Sequence, residues 1–249
     1  MKTALITGAT SGIGAAIARR FAQDDIRLIL CGRRQERLDA LQQELSGKTE
    51  IFLLNFDIRN AEAVFDAIEQ LPKPFRDIDI LVNNAGNAHG KSSIEEGHLE
   101  DWEAMMDGNV KGLLYVTKAV LPVMVERQSG FILNIGSIAG TQVYPGGNVY
   151  CASKHAVAAL SEAMRVDLLK HHIRVSEIKP GLVETEFSLV RFKGDAEQAD
   201  KVYDGYEPLR PEDVADLAHF IVTRPPHVNL ADTLILPAAQ ASSTQVRKN

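Results

Sequence analysis

The sequence predicts an α/β fold: a single doubly wound domain in which a seven-stranded parallel sheet is covered by helices on both faces. Two observations carry this reading. Short apolar, β-prone runs alternate with segments of helical hydrophobic period from end to end, the pattern of βαβ units joined by right-handed crossovers. The 249 residues also suffice for one such domain with a large core. Strand candidates begin near Thr3, Arg27, Thr49, Ile78, Gly130, Arg174 and Thr233, with amphipathic stretches such as Leu38-Leu41-Leu45, Val64-Phe65-Ile68 and Leu217-Phe220-Ile221 between them. No repeat, linker or low-complexity tract divides residues 1–249. The longest irregular piece runs from about Gly181 to Arg210, and a stretch of that length in a compact domain reads as a lid.

The first strand candidate, Thr3 to Thr7, runs into Gly8-Ala9-Thr10-Ser11-Gly12-Ile13-Gly14, after which Ile13, Ala16, Ile17 and Phe21 keep helical spacing. Strand, glycine-rich turn and helix is the setting of a dinucleotide-binding loop. Gly8 permits a tight turn, Gly12 lets backbone approach a pyrophosphate, and Gly14 lets helix and strand pack closely. The free amides and partial positive charge of the helix start then face the phosphates. The second apolar run, Arg27 to Cys31, ends in Gly32-Arg33-Arg34 with no carboxylate before Glu36. An acid there would bind the ribose hydroxyl of NAD, whereas arginine accommodates the 2′-phosphate of NADP. NADP is therefore the expected cofactor, with two solvated arginines at a helix start as the plainer alternative.

Tyr150 and Lys154 stand four residues apart at the head of a helical stretch, so they are neighbours on one face. A free tyrosine has a pKa of about 10 and is a poor base at neutral pH. A nearby cation favours the phenolate, so the spacing predicts a depressed Tyr150 pKa and a usable proton acceptor and donor.

The 45% hydrophobic and 24% charged fractions are those of a soluble globular chain, and the formal charge of −6 argues against nucleic-acid binding. No apolar run approaches membrane-span length, and Met1-Lys2 leads directly into the first strand, so a cytoplasmic location is expected. Cys31 and Cys151 are expected to fill buried space without pairing. His171-His172 reads as a helix-end cap, and no cluster of residues suggests a metal site.

With these residues in view, the chain resembles the short-chain dehydrogenase/reductase family over nearly its whole length. Thr7 to Gly14, Asp57-Ile58, Asn83-Asn84-Ala85-Gly86, Asn109, Ser137, Tyr150-x-x-x-Lys154 and Pro180-Gly181 carry the resemblance. Within the family it is most similar to bacterial NADP-dependent 3-hydroxy acid dehydrogenases. Gly32 to Leu38, Tyr144 to Tyr150 and Val190 to Asp195 carry that narrower match.

The resemblance implies a Rossmann sheet in the order 3-2-1-4-5-6-7 and reversible oxidation of a small hydroxy acid, such as L-serine, L-allo-threonine or 3-hydroxypropionate. A carrier- or CoA-linked ketoacyl reductase and a general carbonyl reductase are the alternatives; the intact Asn109, Ser137, Tyr150 and Lys154 set argues against a non-catalytic NADP-binding regulator, and a tetramer is expected by family analogy. It also implies roles. Tyr150 transfers the proton, Ser137 hydrogen-bonds the substrate oxygen, and Lys154 lowers the Tyr150 pKa and holds the nicotinamide ribose. Asn109 either holds a water beside Lys154 or satisfies buried backbone groups. Gly8, Thr10, Ser11, Gly12, Ile13 and Gly14 form the phosphate turn, with Arg33 and Arg34 at the 2′-phosphate. Asp57 and Ile58 meet the adenine, or Asp57 caps the next helix. Asn84, Ala85 and Gly86 admit the adenine-side ribose. Pro180, Gly181, Val183 and Thr185 flank the nicotinamide, with Thr185 on its carboxamide. Arg191, ahead of Lys193, is the expected partner of a substrate carboxylate, the alternative being that both cations are solvated on the lid's outer face.

Overall fold

In a computed structural model that describes all 249 residues, the strands are β1 (Lys2–Thr7), β2 (Ile26–Gly32), β3 (Ile51–Asn55), β4 (Ile80–Asn83), β5 (Gly130–Ile135), β6 (Ile173–Pro180) and β7 (Asp232–Ile235). They form one sheet in the expected order, β3-β2-β1-β4-β5-β6-β7, and every neighbouring pair is parallel. The helices are α1 (Gly12–Phe21), α2 (Gln35–Glu44), α3 (Ala61–Glu69), α4 (Lys73–Arg76), α5 (Leu99–Met106), α6 (Gly112–Glu126), α7 (Asn148–Leu168), α8 (Phe187–Arg191), α9 (Ala196–Lys201) and α10 (Pro211–Val222).

The two-residue period of a strand divides the core. On β1, Ala4 and Ile6 point to one side and pack with Ile17 and Phe21 of α1, Leu38 of α2 and Ala218 of α10. Leu5, between them, points to the other and packs with Val64 of α3, Val116 of α6 and Val157 of α7. Burying a side chain such as Phe21, which has no exposed surface, contributes about 1.5–3 kcal/mol.

Three details place the site. A π-helical turn, Asp107–Lys111, joins α5 to α6 and carries Asn109; such insertions in a helix are frequent at functional positions. Strands β3 and β5 stop two residues short of Asp57 and Ser137, which therefore sit just past the carboxyl edge of the sheet. Asn60, not Asp57, caps α3, accepting from the Ala63 amide at 3.2 Å. The expected irregular stretch 181–210 is not wholly irregular, because α8 and α9 lie within it. They are too short for the helical period to show in the sequence.

Candidate active site

The glycine-rich turn is held from below. Gly8 has φ +67°, and a Cβ on Gly14 would collide with the Gly8 carbonyl oxygen, so α1 can approach β1 only without a side chain there. The Asn84 amide donates to the carbonyls of Thr7 at 2.9 Å and Gly8 at 3.3 Å. The backbone amides of Asn84 and Ala85 both donate to the Thr7 hydroxyl at 3.0 Å. Asn84 thus locks the ends of β1 and β4 together as well as bordering the cleft.

Beside this turn the two arginines differ. Arg34 donates to the Ser11 hydroxyl at 2.8 Å and the Thr10 hydroxyl at 3.2 Å, and pairs with Glu186 at 3.0 Å. Arg37 pairs with the same carboxylate at 2.6 Å. Burial raises the Glu186 carboxyl, but the two arginines outweigh it and hold the group below its ordinary value. Arg33 is 65% exposed and only loosely paired, 3.6 Å from Asp57. Asp57 is engaged mainly by Arg59 at 2.6 Å. Its carboxyl is raised by burial, more than offset by Arg59 and Arg33, and ends below the usual range.

At the other end of the same cleft, of about 840 Å³, Tyr150 and Lys154 project from α7 and Ser137 from the end of β5. The proton balance departs from expectation. Burial pushes the Tyr150 phenol up, with Ser137 and Arg191 acting against it. Burial lowers Lys154 to about 8, opposed by Glu177. The lysine Nζ donates to the Ile135 carbonyl at 3.0 Å. The predicted depression of Tyr150 is therefore reversed here, because desolvation of the phenolate exceeds the help of Ser137 and Arg191, and Lys154 is not among the groups that lower it. Asn109 satisfies backbone: its Oδ1 accepts from the Asn87 amide at 2.7 Å, and its Nδ2 donates to the Asn87 carbonyl at 2.8 Å and the Ser153 hydroxyl at 3.0 Å.

Arg191, on α8, turns into the cleft. It donates to the Tyr144 hydroxyl at 2.9 Å and the Gly90 carbonyl at 3.2 Å. Its guanidinium carbon lies 5.6 Å from the Tyr150 ring centre. The second terminal nitrogen, Nη2, is buried with no partner. Lys193 is on the outside, 58% exposed and paired with Asp101 at 2.9 Å.

The short chain dehydrogenase family description matches residues 2–195. The chain belongs to that family. It is 48% identical over 238 residues to an NADP-dependent 3-hydroxy acid dehydrogenase of Salmonella typhi, covering 95% of each chain. It is 44% identical over 248 residues to an NADP-dependent 3-hydroxy acid dehydrogenase of Schizosaccharomyces pombe, covering 98% of this chain and 96% of that one. The solved closed form of a serine dehydrogenase complexed with NADP⁺ superposes with a TM-score of 0.93 at 46% identity, covering 99% of both chains.

In this short-chain dehydrogenase, one cleft collects every residue given a cofactor, catalytic or substrate role from the sequence except Gly14, Asn109 and Lys193. Gly14 and Asn109 are buried behind its wall. Sequence reasoning gave no role to Tyr144, which it quoted only within the narrower match, or to Glu186 and Gln240, and all three line the cleft. Gln240 accepts from the Leu182 amide at 2.9 Å, fastening the carboxyl-terminal segment to the chain just past β6. No local pattern marks these three, since each acts on a partner more than 40 residues away.

Proposed function

We propose that the protein is an NADP(H)-dependent dehydrogenase that reversibly oxidises the hydroxyl of a short 3-hydroxy acid, of the L-serine, L-allo-threonine or 3-hydroxypropionate type. The observation that carries the substrate class is Arg191. A guanidinium fixed by Tyr144 and Gly90 beside Tyr150, with one nitrogen buried and unpartnered, suits a small carboxylate. The names of the relatives agree with this reading, and an acyl carrier would call for a broad basic face outside the cleft instead.

The residues present fit a phosphorylated dinucleotide. Gly8, Gly12 and Gly14 leave the turn without side chains where a Cβ would crowd Ala85, Thr185 and Gly8, and Arg33 stands at the cleft edge with most of its surface free. Gly8, Thr10, Ser11, Gly12 and Ile13 would hold the pyrophosphate, and Arg33 with Arg34 the 2′-phosphate. Asp57 and Ile58 would border the adenine, Asn84, Ala85 and Gly86 its ribose, and Pro180, Gly181, Val183 and Thr185 the nicotinamide side. When bound, the cofactor supplies or accepts hydride. Tyr150 takes the hydroxyl proton, Ser137 hydrogen-bonds the same oxygen, and Lys154 and Arg191 supply the positive field that a phenolate needs. Asn109 holds the Asn87 segment against α7, where Lys154 originates.

Residues 181–210 act as the lid of a single domain in this reading, and a cytoplasmic homotetramer follows from the family resemblance. Purified protein with NADP⁺ should turn over L-serine, L-allo-threonine, 3-hydroxypropionate or 3-hydroxyisobutyrate with much higher kcat/KM than neutral alcohols of the same size. Equal values for neutral and acidic substrates would remove the argument from Arg191.

A further inference from the structure

Glu177, on β6, has no exposed surface, and neither carboxylate oxygen accepts a hydrogen bond. A buried ionisable group without full pairing is costly, so its presence calls for a reason. Pairing with Lys179 is only part of that reason. The Lys179 ammonium is 3.5 Å from Glu177 and 3.0 Å from Asp232 of β7, so the two carboxylates share it. Asp232 is also held by Arg165 of α7 at 2.8 Å.

What Glu177 does occupy is the space left by Gly136, where any Cβ would collide with its carboxylate. Gly136 is the middle of three consecutive residues that build the site. The Ile135 carbonyl receives the Lys154 ammonium at 3.0 Å, and Ser137 faces Tyr150. We propose that Glu177 is a positioning residue for the proton-transfer pair: its carboxylate, seated against Gly136, holds the positive charge of Lys154 in place behind Tyr150. This rests on the assignment of Tyr150 and Lys154 given above.

The charges facing Glu177 are few. Lys179 comes from its own strand, Asp232 from β7 and Lys154 from α7, with Arg165 of α7 reaching it through Asp232. The neighbouring strand β5 contributes only uncharged residues. Burial raises Glu177 to about 7, opposed by Lys179 and Lys154. Burial lowers Lys154 to about 8, opposed by Glu177 alone. Each charge thus supports the other, and removing the carboxylate makes the lysine easier to deprotonate.

The test is the pH dependence of NADPH binding, read by fluorescence, together with that of kcat/KM. In Glu177→Gln the alkaline midpoint of binding should fall by roughly one pH unit, the scale of an opposite charge nearby, and the alkaline limb of kcat/KM should move with it. Glu177→Asp, which withdraws the charge by one methylene, should shift both in the same direction by less. The Asp variant carries the test alone if the Gln variant does not fold. A purely structural role would lower the melting temperature and weaken binding equally at every pH, leaving the midpoint unmoved; that result overturns the proposal. If the unaltered protein binds NADPH with the expected alkaline limb, such a failure belongs to Glu177 alone. If it binds none at any pH, the functional reading falls and this inference with it.

Discussion

The Arg191 guanidinium reaches from α8 to the Tyr144 hydroxyl at 2.9 Å, with its carbon 5.4 Å from the Tyr144 ring centre. Its backbone carbonyl accepts from the Gly90 amide at 2.9 Å, while its Nε donates to the Gly90 carbonyl. One residue of the segment after β6 is therefore fastened twice to the loop after β4, and its charge is fixed over Tyr150.

Arg191→Met should raise KM for 3-hydroxy acids tenfold or more while sparing neutral alcohols of similar size. A hydrogen bond to a charged group contributes about 1.5–3 kcal/mol. Arg191→Lys should restore little, because a point charge cannot reproduce the fork that spans Tyr144 and Gly90. Steady-state kinetics on paired acidic and neutral substrates decides; a uniform loss would mean that α8 matters for closure alone.

Tyr150→Phe should leave NADPH binding nearly intact and reduce kcat by roughly 10²–10⁴-fold, the range of general acid–base transfer. Near-normal kcat in that variant would falsify the assignment.

Cofactor choice should divide between the two arginines. Arg33→Ala removes an exposed charge with one loose partner, so it should weaken NADP(H) about ten- to a hundredfold, consistent with one charge-assisted contact, and leave NAD(H) unchanged. Arg34→Ala also frees Thr10, Ser11 and Glu186, so both cofactors should lose affinity. Titrations with NADPH and NADH separate these outcomes.

Lys154→Met should abolish activity and change the pH dependence of stability. The lysine is held at about 8 in the folded protein against an ordinary 10.5. Burying its charge therefore opposes folding fully below pH 8, and that cost is relieved as pH rises toward 10.5. Relative to the unaltered protein, the variant should lose stability as pH rises through that window, on top of the cost of leaving Glu177 without that cation. Thermal melts of both proteins from pH 7 to 10 measure the difference, and a variant that gains relative stability as pH rises would contradict the sign.

Gly14→Ala should destabilise the fold and weaken NADPH binding together. The added methyl meets the Gly8 carbonyl and the Asn84 amide, and overpacking of this kind costs about 1–3 kcal/mol. Melting temperature and fluorescence titration of the same sample test the coupling.

By itself the sequence determined the alternation of strands and helices, the turn from Gly8 to Gly14, and the placing of Tyr150 and Lys154 on one helix face. All three are local: period, turn chemistry and i,i+4 spacing act over a few residues and survive in whatever tertiary setting the chain finds. Tertiary structure decided the rest. Arg191 and Lys193 are two residues apart, and side-chain chemistry alone gives Arg191 only a slight preference, yet one turns to Tyr144 and the other to Asp101. Tyr150 reads as a depressed phenol from its neighbour, yet burial raises it. Nothing in the sequence marks Glu177, and only the packing of β6 beside β5 seats its carboxylate against Gly136. Charge, burial and hydrogen-bond partners in each case come from segments far away along the chain, and only folding brings those segments within range of one another.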